Sequence, residues 1–301
     1  MTWALGGLWL LDGLLQLQPS MFTSDFPKEI LRPAGDGSPL WVSAPVAWSS
    51  ALVEHHLVVL NALFALTQLA LGVGIVARRT RKVALLASIG WAVLVWWLGE
   101  GFGAMFAGPV SPLMGLPGAV ALYALVAAFA WPVEGSGGWS VASASPLRSV
   151  GAAAVWMSLW GLFAVETLMP ANRTSSGLHD MVAGMAAGEP RWLQSLDRLG
   201  AGVLDGRGAQ ASIALAVVFA VVALAVLAPR RLLKPALVMA VALAALIWVV
   251  GQDFGGLATG HATDPNSGPL LALLAWCYWP GSQSSDADAR PASLHAASAA
   301  A

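Results

Sequence analysis

Four carboxylates lie within or at the edge of strongly apolar stretches of this 301-residue sequence: Asp12, Glu100, Glu166 and Asp253. A carboxylate in an apolar environment must pair with a cation, take up a proton or contact water, because an isolated buried charge costs several kcal/mol. These four residues are therefore candidates for binding an ion or a small solute, or for relaying a proton. We expect them to gather on one side of the molecule.

Glycine-rich boxes surround two of these carboxylates. Because glycine permits positive φ and close backbone approach, each box is predicted to break its helix and to direct backbone groups inward. The alternative is structural: small residues let two helices pack tightly, while the carboxylate caps a neighbouring helix or pairs with an arginine of an outer loop. The boxes are Gly99, Glu100, Gly101, Phe102 and Gly103, and Gly251, Gln252, Asp253, Phe254, Gly255 and Gly256.

A second group of candidate ligands is the adjacent trio Glu54, His55 and His56. Imidazole titrates near neutral pH and binds transition metals. Neighbouring residues on a helix point about 100° apart, so His55 and His56 face one metal ion only if the helix begins after them. Tetrahedral zinc would also need ligands from elsewhere, for which the outer-side candidates are His179, His261 and Asp264. A histidine pair at the membrane interface without a metal is the alternative.

The run 264–268, Asp-Pro-Asn-Ser-Gly, is similar to a fragment of a calcium-binding loop. It lacks the acidic residue twelve positions after its start that an EF-hand loop requires. We therefore predict an Asx turn leading into the last apolar segment.

The composition indicates where these residues must lie. Hydrophobic residues make up 57% of the chain and charged residues 10%, with a mean hydropathy of +0.71. A soluble domain is about a quarter charged, so this chain is predicted to use the lipid bilayer as its solvent. A net charge of −1 shows no excess of basic residues of the kind that binds nucleic acid. The single cysteine, Cys277, excludes an intramolecular disulfide.

Apolar stretches recur at 3–17, 53–77, 83–106, 113–132, 149–169, 210–228, 232–250 and 268–280. A spanning helix needs about 20 apolar residues, and only the first and last stretches are short of this length. The predicted fold is therefore all-α, a polytopic membrane protein with about eight transmembrane helices. The tail at 281–301 is predicted to be disordered.

The basic residues orient these spans. They cluster in two tight turns, at 78–82 and 230–234, which are predicted to face the cytoplasm. The loops at 18–52 and 170–209 then face outside. With eight spans, both termini of this cell-membrane protein are predicted to be cytoplasmic.

An internal repeat relates the two halves of the chain. The second glycine box follows the first at an offset of 152 residues (251 − 99 = 152), and Arg230-Arg231 follow Arg78-Arg79 at the same offset. Two four-helix halves, 1–147 and 148–280, would enter the membrane in the same direction, as parallel repeats. Ligand sites in such arrangements often lie between the halves. The repeat aligns Gln252, rather than a second carboxylate, with Glu100.

This tandem four-helix arrangement resembles the DoxX-like family of small bacterial membrane proteins over most of the chain. Some DoxX-like proteins are associated with quinone-linked oxidation of sulfur compounds, so the resemblance implies a membrane redox subunit with quinone as cofactor. It assigns no catalytic residue. Three hypotheses follow: a protein that binds a small solute or ion, in connection with transport; a quinone-linked redox subunit; and an assembly partner of another membrane complex. The sequence requires no cofactor, although quinone or a metal ion would fit the alternatives.

Overall fold

The computed structural model describes residues 1–108, 111–133, 138–186 and 189–281. These residues form helices and turns, and no β-strand occurs among them. The tail predicted to be disordered lies, from residue 282 onward, outside the described residues. The α-helices are α1 (Thr2–Leu15), α2 (Leu40–His55), α3 (Leu57–Val76), α4 (Arg81–Leu98), α5 (Ala119–Phe129), α6 (Val141–Ala144), α7 (Arg148–Thr167), α8 (Gly177–Met185), α9 (Arg191–Leu204), α10 (Gly208–Leu224), α11 (Arg230–Val250) and α12 (Ser267–Cys277).

Five of the described helices are long and apolar enough to cross a membrane: α3, α4, α7, α11 and the stretch Gly208–Leu227, which begins with α10. Three further apolar helices, α1, α5 and α12, have only 14, 11 and 11 residues. At 1.5 Å per residue, 11 residues cover about 17 Å, against about 30 Å of hydrocarbon. The all-helical, membrane-type fold is confirmed, with five rather than eight helices of spanning length in the described part of the chain.

Both predicted outer loops contain helices. Most of α2 lies in the predicted loop 18–52, and α8 and α9 lie in the predicted loop 170–209. These helices were missed because their stretches interrupt apolar residues with Pro, Ser or charged residues, so a search for continuous apolar stretches passes over them. The predicted segment 83–106 is also shorter in the structure. It ends at Leu98, where the first glycine box begins.

The two halves show similar helix packing. In the first half, α1 packs along α3 and α4 packs against α5; in the second, α7 packs along α10 and α11 packs against α12. Helices α5 and α12 contact each other and join the halves through one hydrophobic core. Two aromatic pairs lie in this core: the rings of Trp9 and Tyr123 are 4.3 Å apart, and those of Trp156 and Tyr278 are 4.6 Å apart.

Contacts between distant parts of the chain define two ends of the helix assembly. At one end, Met1 Sδ lies 3.8 Å from Cys277 Sγ, so the start of α1 meets the end of α12. At the other end, the side-chain amide of Gln18 donates to the carbonyl of Ala262 at 3.0 Å, and the Ser20 hydroxyl donates to the carbonyl of Gly260. The segments after α1 and after α11 therefore meet, and the candidate site lies beside them.

Candidate functional site

A cavity of about 790 Å³ lies in the first half, against the segment of the second half that precedes α12. Its wall is formed by α1 to α4, the start of α5 and the segments that connect these helices, and the segment before α12 closes it from the second half. Its volume falls in the range of small-molecule sites, about 300–1,000 Å³. Its polar lining includes Asp12, Gln16, Gln68, Glu100, Asp264 and Asn266, and its aromatic lining consists of Trp9, Phe26, Trp48, Phe64 and Trp91.

The first glycine box turns the chain at the end of α4 back onto the start of α5. Gly103 has φ of +62°, and a Cβ atom there would lie 2.1 Å from the carbonyl oxygen of Pro117. This turn allows Glu100 Oε1 to accept a hydrogen bond from the backbone N–H of Val120 at 3.3 Å. Glu100 therefore caps the N-terminus of α5, where a negative charge is favourable. The capping alternative in the sequence analysis is confirmed for this residue.

The second glycine box makes equivalent contacts with an uncharged residue. Gln252 Oε1 accepts from the backbone N–H of Gly268 at 3.2 Å, and Gln252 Nε2 donates to the Ser267 hydroxyl at 2.6 Å. Gln252 thus holds the first turn of α12, as Glu100 holds the first turn of α5. Nearby, the indole N–H groups of Trp96 and Trp248 donate to the carbonyls of Pro117 and Pro265.

Asp12 is the most deeply buried carboxylate of the cavity. It lies on α1 and is 1% exposed, and its Oδ1 has no hydrogen-bond partner among the described residues. Its carboxyl group lies near those of Glu100 and Asp264, and the buried Tyr123 hydroxyl is placed to donate a hydrogen bond to the Asp12 carboxylate. A residue with this burial and these neighbours is poised to take up a proton or to hold a cation.

Asp264 comes to the cavity from the second half. Its Oδ1 accepts from the backbone N–H of Asn266 at 2.7 Å, and its Oδ2 accepts from the Thr263 hydroxyl at 2.9 Å. The predicted Asx turn before the last apolar helix is confirmed by the first of these bonds. Burial raises the pKa of Asp264 above its ordinary value, against the lowering effect of the two hydrogen bonds.

Four residues that line the cavity carry a buried polar atom without a hydrogen-bond partner within the described part of the chain. The atoms are Asp12 Oδ1, Gln68 Oε1, Trp91 Nε1 and Glu100 Oε2. Buried polar groups in folded proteins are normally hydrogen-bonded, and leaving one unpaired costs about 1–3 kcal/mol. All four residues line the same cavity, as expected of a site that meets polar groups of a ligand.

The other two predicted carboxylates lie outside this lining. Glu166 is partly buried on α7, and Asp253 faces Asp197 and Glu189 instead. The expectation that all four carboxylates gather is therefore corrected: the structure brings Asp12 and Glu100 together and separates them from Glu166 and Asp253. Helix positions along an apolar stretch fix the depth of a residue but not the direction in which it faces.

Asp253 belongs to a second acidic cluster. It is nearly buried beside Asp197 of α9, which is 0% exposed and has no hydrogen-bond partner on either carboxylate oxygen other than Asp253. Burial, followed by the hydrogen bond and charge of Asp197, raises the pKa of Asp253 to about 7. A protonated Asp253 carboxyl group that donates a hydrogen bond to Asp197 accounts for this arrangement.

The histidine candidates do not form a metal site with their neighbours. His55 ends α2 and His56 precedes α3, both are exposed, and their rings are 6.2 Å apart. Glu54 pairs with Lys28 at 3.1 Å, and His261 is exposed. Across the described residues, no group of three or more His, Cys, Asp or Glu side chains is arranged to hold a metal ion.

Two residues of the cavity, Gln68 and Trp91, were not among the predicted candidates, and Asp264 was predicted only as a possible zinc ligand and as the start of an Asx turn. Gln68 carried a usable signal, because an amide within the apolar stretch 53–77 must find a partner or a ligand. Trp91 carried no such signal, since nothing in the sequence distinguishes it from the other 14 tryptophans.

Comparison of the chain with protein-family models, with curated proteins and with solved structures gave no match. The resemblance to DoxX-like proteins therefore stays a prediction.

Proposed function

We propose that this protein is a multi-pass membrane protein that binds a small solute in the cavity of its first half, and that this binding serves transport. The observation that carries the proposal is the set of four buried, unpartnered polar atoms in residues that line one cavity. A solute with matching donors and acceptors would satisfy them, and this would make its binding favourable.

We further propose that the chain is a duplication in which one half kept the site. Three features of the first box recur in the second: the Trp–Pro hydrogen bond, the side chain that caps the next helix, and a glycine packed on the proline segment. The position 151 residues after Asp12 (163 − 12 = 151) is Phe163, and Gln252 replaces Glu100. The second half therefore keeps the geometry of the box without a carboxylate at the positions aligned with Asp12 and Glu100.

The cavity is proposed to open toward the outer side of the membrane. Helix α4 begins beside the basic turn 78–82 and ends at the glycine box, so its 18 residues separate the two by about 27 Å. Basic turns are retained on the cytoplasmic side. The box and the cavity would then lie at the opposite, outer end.

A filling mutation tests whether the cavity binds a solute. Leu94 and Leu86 are both exposed leucines on α4, 45% and 62% respectively, but only Leu94 lines the cavity. Leu94→Trp would narrow the cavity, and Leu86→Trp is the matched control. Wild-type protein in lipid nanodiscs, together with both variants, would be screened by thermal unfolding against amines, carboxylates, neutral alcohols and short-chain quinones.

We expect at least one chemical class to raise the Tm of the wild type and of the Leu86→Trp variant but not of the Leu94→Trp variant. Stabilisation of all three proteins alike, or of none, would refute a solute site in this cavity. Stabilisation by quinones alone would overturn the transport role in favour of the DoxX-like redox role.

A further inference from the structure

We infer that the solute is an organic cation, an ammonium compound with an apolar body. The inference rests on the proposed function, because it names the chemical class that occupies the same cavity. Three carboxyl residues, Asp12, Glu100 and Asp264, line the cavity, and no Lys, Arg or His occurs among its described lining residues. Low-dielectric walls that carry charge of one sign concentrate the opposite charge. The cavity therefore selects a cation over an anion of similar size.

The unpartnered atoms specify the hydrogen bonds that this cation must make. Three of them, on Asp12, Gln68 and Glu100, are oxygen atoms that accept hydrogen bonds. An alkylammonium group carries up to three N–H donors and no acceptor. The fourth atom, the indole nitrogen of Trp91, donates, and it would pair with an oxygen elsewhere on the ligand. A primary or secondary ammonium group fits this set better than a quaternary one, which has no N–H.

The walls of the cavity fit an apolar body attached to the charge. The rings of Phe64 and Trp91 pack 5.6 Å apart, and both line the cavity together with Trp9. Aromatic faces attract an organic cation, and the attraction increases when water is excluded. Trp48 is exposed and lines the same cavity from α2, which places an aromatic ring at the point where a ligand could enter.

An inorganic cation fits these observations less well. A calcium ion takes six to eight oxygen ligands at about 2.3–2.6 Å. The described residues contain no group of three acidic, His or Cys side chains close enough for such a shell. A cavity of about 790 Å³ also greatly exceeds the volume of an ion and one hydration shell, because one water occupies about 30 Å³.

Three probes of one shape test the charge preference: 2-phenylethylammonium, 2-phenylethanol and 3-phenylpropionate. Their affinities for full-length protein in nanodiscs would be measured by titration calorimetry. We expect the ammonium compound to bind at least about tenfold more tightly than the alcohol, with no binding of the carboxylate. Asp12→Asn should weaken ammonium binding by at least about tenfold. The matched control Glu166→Gln, on a helix outside the cavity lining, should leave it unchanged.

Gln68→Leu provides a second variant that keeps every carboxylate, and it decides the question if Asp12→Asn does not fold. It should weaken ammonium binding severalfold, because one acceptor is lost. Equal binding of the alcohol and the ammonium compound, or ammonium binding that neither Asp12→Asn nor Gln68→Leu weakens, would overturn the cation inference. If the cation inference fails in this way but probe binding is still lost in Leu94→Trp, the proposed solute site in the cavity is supported. If no probe and no compound of the wider screen binds, the proposed function itself fails.

Discussion

Replacing Asp253 by Asn should remove a loss of folding stability that the wild-type protein undergoes as the pH rises. Burial and the neighbouring Asp197 raise the pKa of Asp253 from 3.8 to about 7 in the folded state. A carboxyl whose pKa is raised on folding stabilises the protein fully below its unfolded pKa, and this contribution is lost as pH rises through the folded pKa. Stability should therefore fall between about pH 4 and pH 7.

The magnitude follows from the two pKa values. One pKa unit corresponds to about 1.4 kcal/mol, so the change from 3.8 to about 7 corresponds to a loss of about 4 kcal/mol on full ionisation. Glu189 adds a further negative charge beside Asp253 and acts in the same direction. The asparagine amide stays neutral at all these pH values, and it can still donate a hydrogen bond to Asp197.

Thermal unfolding of purified protein at about pH 5 and about pH 8 measures this effect. The wild type should have a lower Tm at about pH 8, whereas the Asp253→Asn variant should lose most of that difference. Asp205→Asn is the control, since Asp205 is exposed at the end of α9. If Asp253→Asn shifts the Tm equally at both pH values, ionisation of Asp253 is not the cause of the pH dependence. The same conclusion would follow if Asp205→Asn had an equal effect.

Two further predictions concern the first glycine box. Glu100→Gln should keep the cap on α5, as Gln252 caps α12, so the Tm should stay nearly unchanged while ammonium binding falls. Glu100→Ala should lose ammonium binding and also about 1 kcal/mol of stability, measured by thermal unfolding. Equal melting of the two variants would contradict the capping role. Gly103→Ala should greatly reduce the yield of folded protein, because its Cβ would lie 2.1 Å from the Pro117 carbonyl oxygen at a φ of +62°. Gly90 lies within α4 with open space where a Cβ atom would be, so Gly90→Ala should be neutral or stabilising. Size-exclusion chromatography would compare the yields of folded protein for the two variants.

Part of the site was predictable because carboxylate residues are rare within apolar stretches of a sequence and are therefore easy to identify. Asp12 and Glu100 stand out for this reason, and both line the cavity. Asp253 stood out equally, yet it faces Asp197. The sequence could not separate these cases, since Asp197 lies in a stretch of mixed polarity that was predicted to be a loop rather than a helix packed against the second box.

The sequence by itself determined the class of the molecule. Its apolar content and its few charges require a helical fold with lipid-facing surfaces, and the two glycine boxes mark where helices end. Only the tertiary structure decided which charges meet. The cavity depends on α1, on α4 and on a turn near residue 264 that is more than 160 residues beyond α4 (264 − 98 = 166). The hydrophobic periodicity of one helix does not show how neighbouring helices are rotated about their own axes. Which of these residues line one cavity is therefore decided only when the helices pack together.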